Sequence, residues 1–226
     1  MYSSQTEFDE QFKSFKYLKW LPFVGKDYRE KKILFAGDSH YEDGDHWQMG
    51  NYNVSRMVIN QCVLDESNKQ FGKSRILNSI ERTILNKENV SREERRNFWT
   101  MVSYTNLVQD LLANNRAKPS EKQIDEGWNN FLDLCTLLKP EVVIKFGVRG
   151  FGRLGYVLDK QRKDWKFDIG EFYKKPRIIS LSHLDNSFKI VFTNHPTGSF
   201  GYNYKKWSSL INQTFPGLKE RVKITS

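Results

Sequence analysis

The sequence predicts an α/β protein: a three-layer α/β/α sandwich around a short, mainly parallel sheet, folded as one domain of 226 residues. Three observations carry this. Short apolar runs bounded by charge or glycine recur along the chain, as buried strands require. Amphipathic stretches lie between them, and such alternation argues for a parallel sheet covered on both faces. The run at 33–36 breaks at Gly37 into Asp38, Ser39, His40 and Tyr41, and the run at 190–193 breaks into Asn194, His195 and Pro196. Polar clusters just beyond strands mark the edge at which open α/β sheets bind ligands.

Residues 7–21 place Phe8, Phe12, Phe15, Leu18 and Leu21 at helical spacing, which predicts a surface helix within an N-terminal helical extension over 1–30. Residues 32–36 form the first strand. The acidic, aromatic and glycine-punctuated stretch 41–52 reads as a functional loop. Helices follow at 53–65, 75–85 and 91–98, the last opened by Ser91 and Glu94 at capping-box spacing. The second strand, 100–105, brings out Asn106. After a loop at 113–119, Ser120 caps a long helix running to Leu138, with Ile124, Trp128, Phe131 and Cys135 on its buried side. Lys139 and Pro140 end it. Residues 142–146 are a third strand closed by Gly147, and 150–158 a short helix. The Lys- and aromatic-rich stretch 160–175 reads as a hairpin or long loop. Strands at 178–181 and 189–192 follow, and a closing helix at 204–213.

Lys and Arg number 36 against 27 Asp and Glu, a net charge of +9. Such a balance favours a polyanionic partner, nucleic acid first. Aromatics make up 14 % of the chain and interleave with Lys and Arg, as base-stacking surfaces require. The two cysteines, Cys62 and Cys135, are too few for a cysteine-only zinc or iron–sulfur site and read as reduced, packed thiols. No metal or other cofactor is expected. The acidic opening residues do not read as a secretory signal. No apolar run approaches the roughly 20 residues that cross a bilayer, so no membrane partner is expected.

Three segments, taken in order, resemble the uracil-DNA glycosylase superfamily. GDSHY at 37–41 stands where that family has its first motif. Residues 103–147 look like its strand ending in Asn, then Arg-x-x-Pro, a helix, Lys-Pro, a valine-rich strand and Gly. HPTGS at 195–199 is similar to the final His-Pro-Ser motif. The ordered set covers roughly residues 31–215, and an ordered set is more specific than any of its short motifs. Asp38 replaces the usual Gln, Glu or Asn, His40 stands where Pro is common, and Thr197 replaces Ser.

The resemblance implies hydrolysis of the N-glycosidic bond of uracil or another deaminated base in DNA, single- or double-stranded, by a cytoplasmic or nucleoid-associated monomer. Breaking that bond builds positive charge on the sugar and negative charge on the departing base. The site then needs an anion or a base near the sugar and a donor for the leaving group. Asp38 and His195 fill these catalytic roles, which the ordered match favours over the bland alternative of residues that serve a turn. Asn106 carries the donor and acceptor that match an edge of uracil, or braces its loop. Tyr41 could stack on the base or pack in the core, and Ser39 and His40 would bind the base with it or simply shape the turn. Arg116, Lys118, Thr197, Ser199, Lys205 and Lys206 would hold phosphates. Phe200 and Tyr202 would wedge into the duplex from which the base is flipped, or anchor the last helix. Two other functions share these residues. One is a binding module that kept the fold and lost the chemistry. The other is an SGNH-type esterase with Ser39 as nucleophile. Its Asp three residues before a late His is not met, since position 192 is Phe192 and position 180 is Ser180.

Overall fold

A computed structural model describes residues 5–41, 52–114, 116–169, 177–196 and 202–222. Its strands are β1 (Phe23–Val24), β2 (Ile33–Gly37), β3 (His40–Tyr41), β4 (Val102–Asn106), β5 (Leu111–Leu112), β6 (Val142–Phe146), β7 (Lys166–Ile169), β8 (Arg177–His183) and β9 (Asn186–Thr193). Its helices are α1 (Asp9–Lys13), α2 (Tyr28–Lys31), α3 (Val54–Ile59), α4 (Arg75–Leu85), α5 (Arg92–Thr100), α6 (Glu121–Leu138), α7 (Phe151–Lys160), α8 (Tyr204–Thr214) and α9 (Leu218–Arg221). Among the described residues the strands form a seven-stranded sheet in the order β1-β4-β2-β6-β9-β8-β7, and β3 pairs with β5 separately.

The sheet is mixed, which corrects the mainly parallel expectation. β4, β2, β6 and β9 run parallel in its middle. β1, β8 and β7 join antiparallel at its flanks. The reason is connection length. Only Leu184 and Asp185 separate β8 from β9, and a parallel neighbour needs a crossover of about a dozen residues or more. The seven residues between β7 and β8 impose the same constraint, whereas β1 joins the other edge from far upstream of β4, where connection length sets no direction.

Successive strand side chains alternate between faces, and each face buries its own set. Ile33, Phe35, Val102, Ile144 and Phe146 pack with Ile80 of α4 and Phe98 of α5. Leu34, Ala36, Val143 and Phe192 pack with Trp128 of α6 and Leu154 of α7 on the other. The predicted cap of α6 forms: Ser120 Oγ accepts from the Gln123 amide at 3.2 Å, and Gln123 Oε1 accepts from the Ser120 amide at 2.8 Å. Such a cap is worth about 1 kcal/mol. Lys139 closes α6 in the left-handed region (φ 46°) ahead of Pro140.

The helix expected over 7–21 shrinks to α1. Its later amides are taken by tertiary partners: those of Lys19 and Trp20 donate to Gln109 Oε1 at 3.3 and 2.9 Å, and that of Leu21 to the Tyr52 carbonyl at 2.6 Å. The apolar side chains are buried all the same, with Phe12, Leu18 and Leu21 packing on Leu134 and Leu138 of α6. The N-terminal segment is therefore largely irregular chain rather than a helical extension, and it contributes β1 to the sheet.

Candidate active site

The carboxyl ends of β4, β2, β6 and β9 lie along one edge of the sheet. Gly37 ends β2 opposite Asn106 at the end of β4. The pairing continues past both, as the Leu107 amide donates to the Gly37 carbonyl at 3.1 Å and the Val108 amide to that of Asp38 at 2.9 Å. A Cβ on Gly37 would lie 2.3 Å from Asn106 Oδ1, so only glycine lets the Asn106 side chain cross this strand end.

Asp38 is buried, with 7 % of its surface exposed. Its Oδ1 accepts from the ammonium of Lys145, which is fully buried in β6 and also donates to the Phe146 carbonyl at 3.1 Å. Its Oδ2 lies 4.0 Å from Arg149 Nε. Gly147 makes room for this carboxylate. It has φ 99°, and a Cβ there would stand 2.9 Å from Oδ1 and 3.1 Å from Oδ2. Burial pushes the Lys145 ammonium below its ordinary range, an effect that Asp38 opposes and Arg149 reinforces.

His195, half-buried beyond β9, joins the same electrostatic cluster. Burial lowers its imidazole below 6.5; the Asp38 charge opposes this, and Lys145 and Arg149 add to it. It is therefore the neutral imidazole at pH 7, able to donate one hydrogen bond from one ring nitrogen. Asn106 Oδ1 accepts from the Tyr104 hydroxyl at 3.0 Å, which turns Nδ2 away. That Nδ2 is buried and has no hydrogen-bond partner among the described residues. Burial raises the Tyr104 phenol well above its usual range, with Asp38 and Tyr41 adding to the effect, so Tyr41 shares this neighbourhood. The structure thus brings Asp38, Tyr41, Asn106 and His195 to one edge, from three segments: the stretch after β2, the end of β4 and the stretch after β9.

Other expected residues are placed differently. The Ser39 hydroxyl donates to the Asp110 carbonyl, and His40 Nε2 lies 3.5 Å from Ser55 Oγ, edge-on to Trp20. Burial lowers His40 to about 4. Both residues hold the turn. The Tyr202 hydroxyl pairs with Thr83 Oγ1 at 2.8 Å and its ring stacks on Trp207, the geometry of an anchor for α8. Arg116, Lys118, Lys205 and Lys206 are exposed. Arg116 and Lys118 precede α6, and Lys205 and Lys206 lie in the first turn of α8. Thr197, Ser199 and Phe200 lie outside the described residues. Sequence reasoning missed Lys145, Gly147 as its companion, and Arg149. The signal for Lys145 was present: a lysine inside the otherwise apolar strand Val142–Phe146.

Among the described residues no group of three or more His, Cys, Asp or Glu could hold a metal ion, and no helix is long and apolar enough to cross a membrane. A scan against protein-family models matches no family, and a search of curated proteins finds no match.

Proposed function

We propose that the protein is a uracil-DNA glycosylase-like hydrolase, an α/β/α sandwich that releases uracil or another deaminated base from DNA. The observation that carries this reading is the unpartnered amide nitrogen of Asn106. A buried donor without a partner costs about 1–3 kcal/mol, and a ligand acceptor offsets that cost. A pyrimidine carbonyl is such an acceptor, and Asp38 and the neutral His195 stand beside it. In the reaction, a water bonds to C1′ and gives its proton to the Asp38 carboxylate. The electron pair of the C1′–N bond leaves with the base, whose carbonyl accepts a hydrogen bond from His195. Solvent then protonates the base and takes the proton from Asp38.

The test is incubation with a uracil-containing oligonucleotide, followed by a search for alkali-labile sites. Asp38→Asn should reduce turnover by about 10²-fold or more with DNA binding nearly intact, and His195→Ala should reduce it as well. Binding should weaken steeply with salt if the exposed lysines hold phosphates. Wild-type turnover in both variants would refute the assignment of roles.

One observation favours a second reading. Asp38 is already engaged by Lys145, as expected if the carboxylate now serves only to shape a nucleotide-binding cleft. Salt-sensitive DNA binding without cleavage of any deaminated base would establish that module instead.

A further inference from the structure

We propose that Lys145 is the positioning residue of this site: its ammonium fixes Asp38 Oδ1, so that Oδ2, turned toward Arg149, is the oxygen that works on the substrate. The chemical part of this inference rests on the glycosylase reading; the clamp itself does not.

A lysine in the central strand of a sheet is an expensive choice. Replacing a buried ion pair by apolar side chains is often neutral or stabilising, so core packing gives no reason for one here. Lys145 sits opposite Ala36 of β2 and Phe192 of β9, among apolar neighbours. Its ammonium has two fixed acceptors, Asp38 Oδ1 and the Phe146 carbonyl, so its direction is set. Asp38 is held from both sides: its carbonyl by the Val108 amide, its carboxylate by Lys145 in the space that Gly147 leaves open. An aspartate reaches one methylene less far than a glutamate, and a short side chain does catalytic work only where its direction is fixed.

The two carboxylate oxygens are consequently unequal. Oδ1 is committed to the ammonium. Oδ2 has Arg149 Nε at 4.0 Å, beyond hydrogen-bond length and within the span that a bridging water closes. Arg149 Nη1 is itself buried without a hydrogen-bond partner among the described residues, a second donor available to such a bridge. A carboxylate neutralised on one oxygen orients a water better than it stabilises a sugar cation, which makes Oδ2 the acceptor of the water proton.

The experiment compares wild type with Lys145→Met by single-turnover cleavage of a uracil oligonucleotide, by oligonucleotide affinity and by crystal structure. Cleavage should fall about 10²-fold or more while affinity stays within about threefold, because the residue acts on Asp38 and not on the DNA. The Asp38 carboxylate should leave its place against Gly147. In Lys145→Ala, added propylammonium should restore at least about tenfold of the lost rate, and it should restore none in Lys145→Ala/Asp38→Asn. An undisplaced carboxylate or an unchanged rate would overturn the proposal. Should Lys145→Met not fold, Lys145→Gln, which keeps a neutral donor, carries the same comparisons. If wild type cleaves no glycosidic bond, the functional reading fails, and the position of Asp38 in the variant still decides whether Lys145 is its clamp.

Discussion

The two ends of the parallel strands both carry ion pairs, and the pairs differ in kind. At the carboxyl end Lys145 and Asp38 are paired out of solvent, beside an amide nitrogen without a partner. At the amino end Glu141 meets Arg221 at 2.8 Å and Lys32 at 3.3 Å, with each side chain still 40–47 % exposed. A cavity of about 440 Å³ opens there too, lined by Glu141, Ser180, Lys189 and Arg221 among others. The amino-end charges stay in water and answer one another. The exposed cations that flank the starts of α6 and α8, Arg116, Lys118, Lys205 and Lys206, pair with no carboxylate among the described residues. The difference teaches where to look for function. Exposed pairs contribute little and cost little, whereas a buried pair persists against its desolvation cost.

The comparison breaks first on stability. Lys145→Met strands a buried carboxylate and should cost about 3–5 kcal/mol by urea unfolding. Arg221→Met, at the other end, should cost less than about 1 kcal/mol. Equal losses would erase the distinction between the two ends.

A second buried carboxylate, outside both of these pairs, sharpens the point. Glu81 of α4 accepts from Trp99 Nε1 at 2.8 Å and faces Arg95 at 3.0 Å. Burial nonetheless lifts its carboxyl from 4.5 to about 7, against the pull of Arg95 and Trp99. A raised carboxyl pKa means that the folded state holds the proton more tightly than the unfolded one. Its contribution is full below about pH 4.5 and is lost as pH rises toward about 7, a span worth about 3 kcal/mol. Unfolding free energies of wild type and Glu81→Gln, measured from pH 4.5 to 7.5, should therefore diverge in favour of the variant as pH rises. A constant difference would refute the role of burial there.

The smallest effect contrasts two glycines of one loop and helix. Gly147→Ala places a Cβ against the Asp38 carboxylate in a backbone region that side chains rarely adopt. It should cost about 2 kcal/mol and abolish the activity that depends on Asp38. Gly152→Ala, with nothing within 4 Å of the added carbon, should leave activity intact and gain about 0.5–1 kcal/mol in α7.

Legibility followed locality. α4 and β6 stand at the residues that periodicity assigned, and the caps at Ser91 and Ser120 form as their spacing implied. Those signals are written within a few residues. β1 was not legible, because two residues carry no period and its strand exists only through β4. The antiparallel β8–β9 hairpin was legible in principle, since no crossover fits between its strands. In the site, Asp38, Asn106 and His195 could be singled out because each follows an apolar run. Arg149 had no such mark. Lys145 carried a charge out of place, and its partner lies too far away in sequence for spacing to name.

That separation has a consequence for how the chain assembles. Asp38 and Lys145 are 107 residues apart, on either side of β4 and the whole of α6. A partly folded state that docks β2 without β6, or β6 without β2, sends one charge into an apolar layer with nothing to answer it. Such states are driven up in free energy. The two strands are therefore expected to gain and lose their places together, so that the pair couples the middle of the sheet into one cooperative unit.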